Sequence, residues 1–164
     1  MSSDSHPRAG AVLLREARVE DADALTRLFL DSRAAALPYL PRVHSDEATL
    51  GWMTYIVLPG TDVWVAELRK DGGAAEPVGF VSVDGDEIEQ LYLRPDMRRR
   101  GIGTRLLAKA RERSPQGLGL YTFQRNTEAR SFYERHGFTA VGFDDGSRNE
   151  ENEPDVRYRW SPAG

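Results

Sequence analysis

The sequence predicts a mixed α/β domain, with a mostly antiparallel central sheet of about seven strands and flanking helices. Three observations carry that prediction. Short apolar runs separated by tight turns occupy the stretch from Asp62 to Leu93, and such short connections favour neighbouring antiparallel strands. A strand–helix–strand unit then spans Glu87 to Phe123, a crossover long enough to join two parallel strands. At 164 residues the chain is long enough for one core of ordinary size.

Taken in order, residues 1–10 (MSSDSHPRAG) read as a disordered leader and 11–164 as a single domain. Ala11–Ala17 is the first strand. A helix opens at Val19-Glu20-Asp21, where Asp21 and Asp23 suit its positive end and Ala24, Leu25, Leu28 and Phe29 fall at helical spacing. Pro38 and Pro41 prevent its continuation. His44–Leu58 is the second helix, capped by Ser45, with Leu50, Met53, Ile56 and Val57 as its buried stripe and Pro59-Gly60 closing it. Strands follow at Asp62–Arg69 and Val78–Val83, joined by the glycine-rich hairpin KDGGAAE, and Asp84-Gly85-Asp86 turns into the strand that begins at Glu87.

Pro95 ends that strand, because it has no N–H for a ladder. From Ile102 the spacing of Ile102, Leu106, Leu107 and Ala110 is helical. Leu118–Phe123 is a strand, and Asn126–His136 is a helix with Ala129, Phe132 and Tyr133 on one face and Gly137 just beyond its end. Phe138–Phe143 and Val156–Trp160 are the last two strands. The acidic loop Asp144–Asp155 between them is expected to be mobile.

Composition excludes several classes of chemistry. The chain has no cysteine, so it forms no disulfide, thiolate metal site or cysteine nucleophile. His6, His44 and His136 have no metal-ligand spacing, and no metal is expected. No apolar run approaches the roughly 18 residues of a membrane span, and the N-terminus lacks the apolar stretch of a secretory signal. A cytoplasmic protein is the expectation that remains. The net charge of −4 hides an asymmetry: Arg94–Arg113 holds eight basic and two acidic residues, whereas Asp144–Asp155 holds six acidic and one basic. Two solvated stretches account for this; so do an anionic ligand at one patch and a cationic one at the other.

The segment Glu87–Gly103, EIEQLYLRPDMRRRGIG, organises the rest. Gly101 and Gly103 remove side chains where the backbone turns and where a ligand comes close. The helix that starts there has unpartnered N–H groups and a positive dipole end, which together favour phosphate. Neither GxGxxG nor GxxxxGK[ST] is present. What is present is Arg-x-x-Gly-x-Gly at Arg98–Gly103, after LYLRPDM and before TRLL. This resembles the acyl-CoA-binding motif of the GNAT N-acetyltransferases, whose pattern is Q/R-x-x-G-x-G/A. A second stretch, NTEARSFYERHGF from Asn126, resembles that family's N-x-x-A-x-x-F/L-Y-x-x-x-G-F segment. The element order is the family's as well, and the resemblance covers Leu13 to Trp160.

The resemblance implies transfer of an acetyl group from acetyl-CoA to an amine acceptor. It places the pyrophosphate on backbone N–H groups of Arg99, Arg100, Gly101, Ile102, Gly103 and Thr104, with Arg98 where the family has Gln or Arg. The arginine side chains either pair with phosphate or coat a helix end. Leu91, Tyr92 and Leu93 match the strand that holds the pantetheine arm, where the family commonly carries a bulge that opens the thioester slot. A backbone N–H near Leu91 is then the oxyanion donor. Tyr133 matches the tyrosine that approaches the coenzyme A sulfur, and Asn126 the asparagine that bonds the pantetheine. The plain alternatives are a core tyrosine and a helix N-cap.

The general base is either Glu87 or Glu89, two apart on one strand face; a solvated sheet end is the alternative for both. His136 sits where a helix ends and is read as a cap. His44, Tyr39 and Trp52 fall in the segment that lines the acceptor pocket in the family. Two other functions compete: a nucleic-acid module using RPDMRRRGIGTR, and a non-catalytic acyl-CoA sensor of the same fold. The acidic net charge and the lack of aromatics within the basic run disfavour the first; Tyr133, Asn126 and the intact glycine loop disfavour the second. No nucleic acid or membrane partner is expected, and monomer and homodimer are both open.

Overall fold

In the computed structural model, which describes residues 11–162, the chain runs β1 (Ala11–Glu16), α1 (Ala22–Ala36), α2 (Asp46–Trp52), a π-helical turn (Met53–Val57), α3 (Leu58–Gly60), β2 (Asp62–Arg69), β3 (Glu76–Asp84) and β4 (Glu87–Leu93). It continues through α4 (Ile102–Arg113), β5 (Leu118–Phe123), α5 (Thr127–Arg135), β6 (Thr139–Asp144) and β7 (Asp155–Trp160). The expected leader lies outside the described residues. The seven strands form one sheet in the order β1-β2-β3-β4-β5-β7-β6. β4 and β5 are parallel, as the crossover through α4 requires, and every other neighbouring pair is antiparallel.

The helices cover the sheet on two sides. α4 contributes Ile102, Leu106, Leu107 and Ala110 to a cluster with Val81, Val83, Leu118, Leu120, Tyr133, Val156 and Tyr158. α1 contributes Leu25, Leu28 and Phe29 to a second cluster with Met53, Val57, Val63, Val65 and Phe80. At about 25 cal/mol per Å2 of apolar area removed from water, these two clusters supply the main drive to fold.

Three register shifts interrupt the period-2 alternation, one at Val141 of β6 and the other two in β3 and β4. The register steps from Ala66↔Gly79 to Glu67↔Pro77, and from Ser82↔Gln90 to Val83↔Ile88, so Val78 and Glu89 are the extra residues. Each places two residues three apart on one face: Val78 with Val81, and Ile88 with Leu91. A regular strand would have sent them to opposite sides.

The second helix differs from the expected stripe. Met53 and Val57 are buried, but Ile56 is 60% exposed. The reason is the π turn, whose i→i+5 bonds widen the helix and rotate Ile56 outward. The segment also runs past Pro59 to Gly60, where Thr61 N and Oγ1 both reach Val57 O. The acidic loop is likewise cross-tied, by Arg125 to Glu153 at 2.7 Å, Arg33 to Glu151 at 3.3 Å and Arg148 to Asp144 at 3.1 Å. Half of its six carboxylates therefore already have arginine partners.

Candidate active site

The parallel ladder between β4 and β5 holds a single pair, Glu87↔Gly119, closed by Gly119 N donating to Asp86 O at 2.8 Å. Beyond it the strands part. The gap is a cleft of about 1040 Å3, walled by Ile88–Leu93 of β4, Leu120–Phe123 of β5, one face of α5 and the loop before α4. The bulge at Glu89 lies at the start of the parting.

The backbone of β4 aims into this gap. Arg94 N donates to Val78 O at 2.7 Å, so in the alternating ladder residues 90, 92 and 94 bond to β3. Leu91 and Leu93 consequently turn their N–H and C=O groups toward β5, where no strand stands against them. Ser32 Oγ of α1 takes the Leu93 carbonyl at 2.5 Å. The Leu91 N–H is thus a free donor beside the cleft.

At the other end of the cleft the chain makes an anion cradle. Among the described residues, no backbone amide from Arg98 to Thr104 donates a hydrogen bond; Arg105 N is the first to do so, to Gly101 O at 3.1 Å. Gly101, at φ +82°, adopts the left-handed conformation that glycine accepts without penalty. Arg99, at φ +64°, adopts it at a steric cost of about 1–2 kcal/mol. The α4 dipole adds partial positive charge at the same place. Arg98 and Arg99 line the cleft and share the carboxylate of Glu128, at 2.9 and 3.3 Å.

Three residues of this loop differ in what surrounds them beyond their amides. Arg100 is exposed and lies outside the cleft, because the turn points it to solvent. The Ile102 side chain is 2% exposed in the core, which leaves only its amide for a ligand. Gly103 serves packing: a Cβ there would meet the Phe132 ring at 3.3 Å.

Tyr133 is 7% exposed, lines the cleft, and packs against Phe132 and Phe138. Its hydroxyl makes no hydrogen bond among the described residues. Burial, reinforced by Tyr92, pushes its pKa well above the ordinary phenol value, so it stays protonated. Asn126 also lines the cleft, and it caps α5 by accepting from Ala129 N at 3.2 Å. The cap uses only Oδ1, and the side-chain amide makes no hydrogen bond among the described residues. Tyr92 also lines the cleft, and its ring packs edge-on against Phe29, at 5.1 Å between centroids.

The two glutamates separate. Glu89 lines the cleft and has no ion-pair partner among the described residues. Burial raises its pKa, and Glu87 and Asp84 raise it further, while Arg157 opposes them. Glu87 does not line the cleft; Arg157 holds both its oxygens, each at 2.6 Å. Its place outside the cleft, with both oxygens already held, sets it apart from Glu89 as a candidate base.

The remaining candidates lie away from the slot. His136 bridges Thr104 Oγ1 at 3.0 Å and Phe132 O at 2.8 Å, and so ties α5 to the first turn of α4. Trp52, stacked on Phe29, and His44, bonded to Glu150 at 2.9 Å, line a second cavity of about 660 Å3 between α1, the segment before α2 and the acidic loop. The Tyr39 ring lies under the Arg125 guanidinium, 3.6 Å from its centroid.

The acetyltransferase (GNAT) domain description matches residues 59–140, half of the chain. A peptidyl-lysine N-acetyltransferase, YjaB of Salmonella typhimurium, is 32% identical over 129 residues, covering 79% of this chain and 84% of that protein. The chain belongs to the GNAT acetyltransferase family. It is an acetyltransferase by that membership. Among solved structures, apo YjaB from Escherichia coli superposes with a TM-score of 0.74 at 24% identity, covering 93% of this chain and 99% of that one. The PaiA N-acetyltransferase of Thermoplasma acidophilum, solved in complex with coenzyme A, gives 0.65 at 18% identity over 92% and 99%. These two establish the shared fold. The basic run therefore lies within an acetyltransferase domain, and no helix among the described residues is long and apolar enough to cross a membrane.

Sequence reasoning missed Glu128, Ser32, Gly119 and Arg157. Glu128 had a weak signal, an acidic residue in the first turn of α5. The other three act across the sheet, and local spacing carries no trace of them.

Proposed function

We propose that this acetyltransferase uses acetyl-CoA and transfers the acetyl group to a primary amine by direct attack in a ternary complex. The observation that carries the proposal is the single-pair β4–β5 ladder, which opens a slot between a free Leu91 N–H and the buried Tyr133. The group and the site fit: seven consecutive amides without partners, two arginines and a helix dipole form a cradle for a pyrophosphate. Acetyl-CoA supplies the activated acyl carbon as a thioester.

Arg98 to Thr104 hold the phosphates, and Asn126 and the free edge of β4 orient the arm. Glu89 takes a proton from the acceptor ammonium, directly or through one water, so that the neutral amine forms the new carbon–nitrogen bond and its nitrogen then releases a second proton to solvent; the raised pKa of Glu89 moves it toward the working pH. The Leu91 N–H meets the negative charge that develops on the carbonyl oxygen. The carbon–sulfur bond breaks, and the Tyr133 hydroxyl donates to the departing thiolate. Because its pKa exceeds the roughly 8.5 of a thiol, it acts chiefly by hydrogen bonding.

The acceptor is proposed to be a lysine side chain of a protein, as for the peptidyl-lysine N-acetyltransferase YjaB, and the reaction to take place in the cytoplasm. Calorimetric titration with coenzyme A, followed by thiol release from acetyl-CoA, tests the proposal. The amine panel is an N-terminally blocked lysine peptide, a free-N-terminus peptide, polyamines and amino acids. Micromolar binding with turnover on the lysine peptide is expected; binding with silence across the panel would favour an acyl-CoA sensor.

A further inference from the structure

The point where β4 leaves β5 is bridged by an ion pair that reaches over an intervening strand. Arg157 sits on β7 and Glu87 on β4, with β5 between them. The guanidinium holds the carboxylate by two bonds of 2.6 Å, a bidentate fork that fixes both partners in direction as well as distance. The pair crosses directly above Gly119, the residue that makes the last β4–β5 contact. A Cβ at Gly119 would fall on Arg157 Nη2 and come within 2.9 Å of Glu87 Oε2. Only glycine lets the pair close at that point. The guanidinium also lies over the ring of Tyr121, its β5 neighbour in the cleft wall, at 4.8 Å from the centroid.

We propose that Arg157 is a positioning residue: by binding Glu87 across β5 it pins the parting point of the two strands and leaves Glu89 as the carboxylate that serves the cleft. The inference rests on the reading of Glu89 as general base. The charged groups facing Glu89 come from three strands: Glu87 beside it on β4, Asp84 at the end of β3, and Arg157 from β7. Arg157 neutralises Glu87 and so limits the repulsion that, after burial, raises the pKa of Glu89. The pair thus couples the shape of the slot to the charge of its base.

The test is the pH dependence of kcat/KM for the native protein and the variants E89Q, R157Q, R157K and E87Q. Acetyl-CoA and the amine class that turns over in the panel are the substrates, and calorimetry with coenzyme A is run alongside. R157Q removes the cation, so the acidic limb moves up by about one pH unit. E87Q removes the like charge and leaves the cation, so the limb moves down. R157K keeps the charge and holds the limb near its native position, with a lower kcat from the lost fork. Coenzyme A affinity stays within about twofold in all three, because the phosphate cradle lies at the other end of the cleft.

A structural brace alone would lower thermal stability and rate in R157Q and E87Q together, with the limb fixed. A limb that stays in place in both variants, or moves the same way in both, overturns the inference. No turnover in the native protein, or a limb that survives in E89Q, overturns the reading of Glu89 itself and this pairing with it.

Discussion

Arg98 donates to the Glu128 carboxylate at 2.9 Å across the mouth of the cleft, and Arg99 reaches its other oxygen at 3.3 Å. Glu128 is therefore an internal anion on the arginines proposed to face the phosphates. All three side chains are partly exposed, which limits the energy of the pair to about 1 kcal/mol. E128Q is expected to tighten coenzyme A binding about three- to tenfold at low salt, with the gain shrinking as salt screens the arginines. Calorimetric titrations of both proteins at two salt concentrations check this.

Tyr133 offers a cleaner separation of binding from chemistry. Its ring packs among Phe132, Phe138 and Tyr158, contacts that phenylalanine preserves. Y133F is expected to lower kcat by about 100-fold while leaving coenzyme A affinity within about twofold. With its pKa pushed above the ordinary phenol value, Tyr133 contributes no basic limb below about pH 10. Thiol-release rates across pH, with calorimetry alongside, measure both effects.

Glu89 links function to stability with a definite sign. Burial, then Glu87 and Asp84, raise its folded pKa above the unfolded value. Between those two values the folded chain keeps a proton that the unfolded chain has released. Its stabilising contribution is full below the unfolded value, about 4.3, and is lost as pH rises through the folded one. E89Q should accordingly be more stable than the native protein at pH 8, by about half a kcal/mol after solvent screening, and no different at pH 4. Denaturant unfolding at the two pH values decides it.

A second carboxylate group behaves oppositely. Arg15 of β1 binds Asp21 by two bonds, of 2.8 and 2.9 Å, and also pairs with Glu67, both acids being nearly buried. Arg15 lowers the pKa of Glu67; at Asp21 burial pushes upward, but hydrogen bonds from Arg15 and Arg18 N outweigh it. Their contribution is present above the unfolded carboxylate pKa of about 4 and is lost as pH falls through the lowered folded values. R15A should destabilise by on the order of 2 kcal/mol at pH 7 and flatten the acid limb of the stability curve. Thermal unfolding between pH 2 and 7 reads both changes.

The parts of the fold legible in the sequence were those set by local chemistry. Pro95 stops β4, Gly101 opens α4, Asn126 caps α5, and apolar spacing marks the helices. The bulge at Glu89 also left a trace: Ile88, Leu91 and Leu93 cannot all share a face of a regular strand, yet all three pack on one cluster. Reading the stretch as regular made Glu87 and Glu89 look equivalent. What separates them is Arg157, 70 residues further along, placed by a strand order that runs β5-β7-β6. The exposed Ile56 was missed for a related reason, since the π turn at Met53–Val57 changes the period on which the buried stripe was counted.

The most direct measurement incubates the protein with acetyl-CoA and an N-terminally blocked lysine peptide, following thiol release and the peptide's mass together. The proposal predicts one acetyl group on the lysine for each thiol released, with both signals lowered together by about 100-fold in Y133F and strongly reduced in E89Q. Absence of coenzyme A binding, or thiol release without acetylated peptide that persists in both variants, would contradict it.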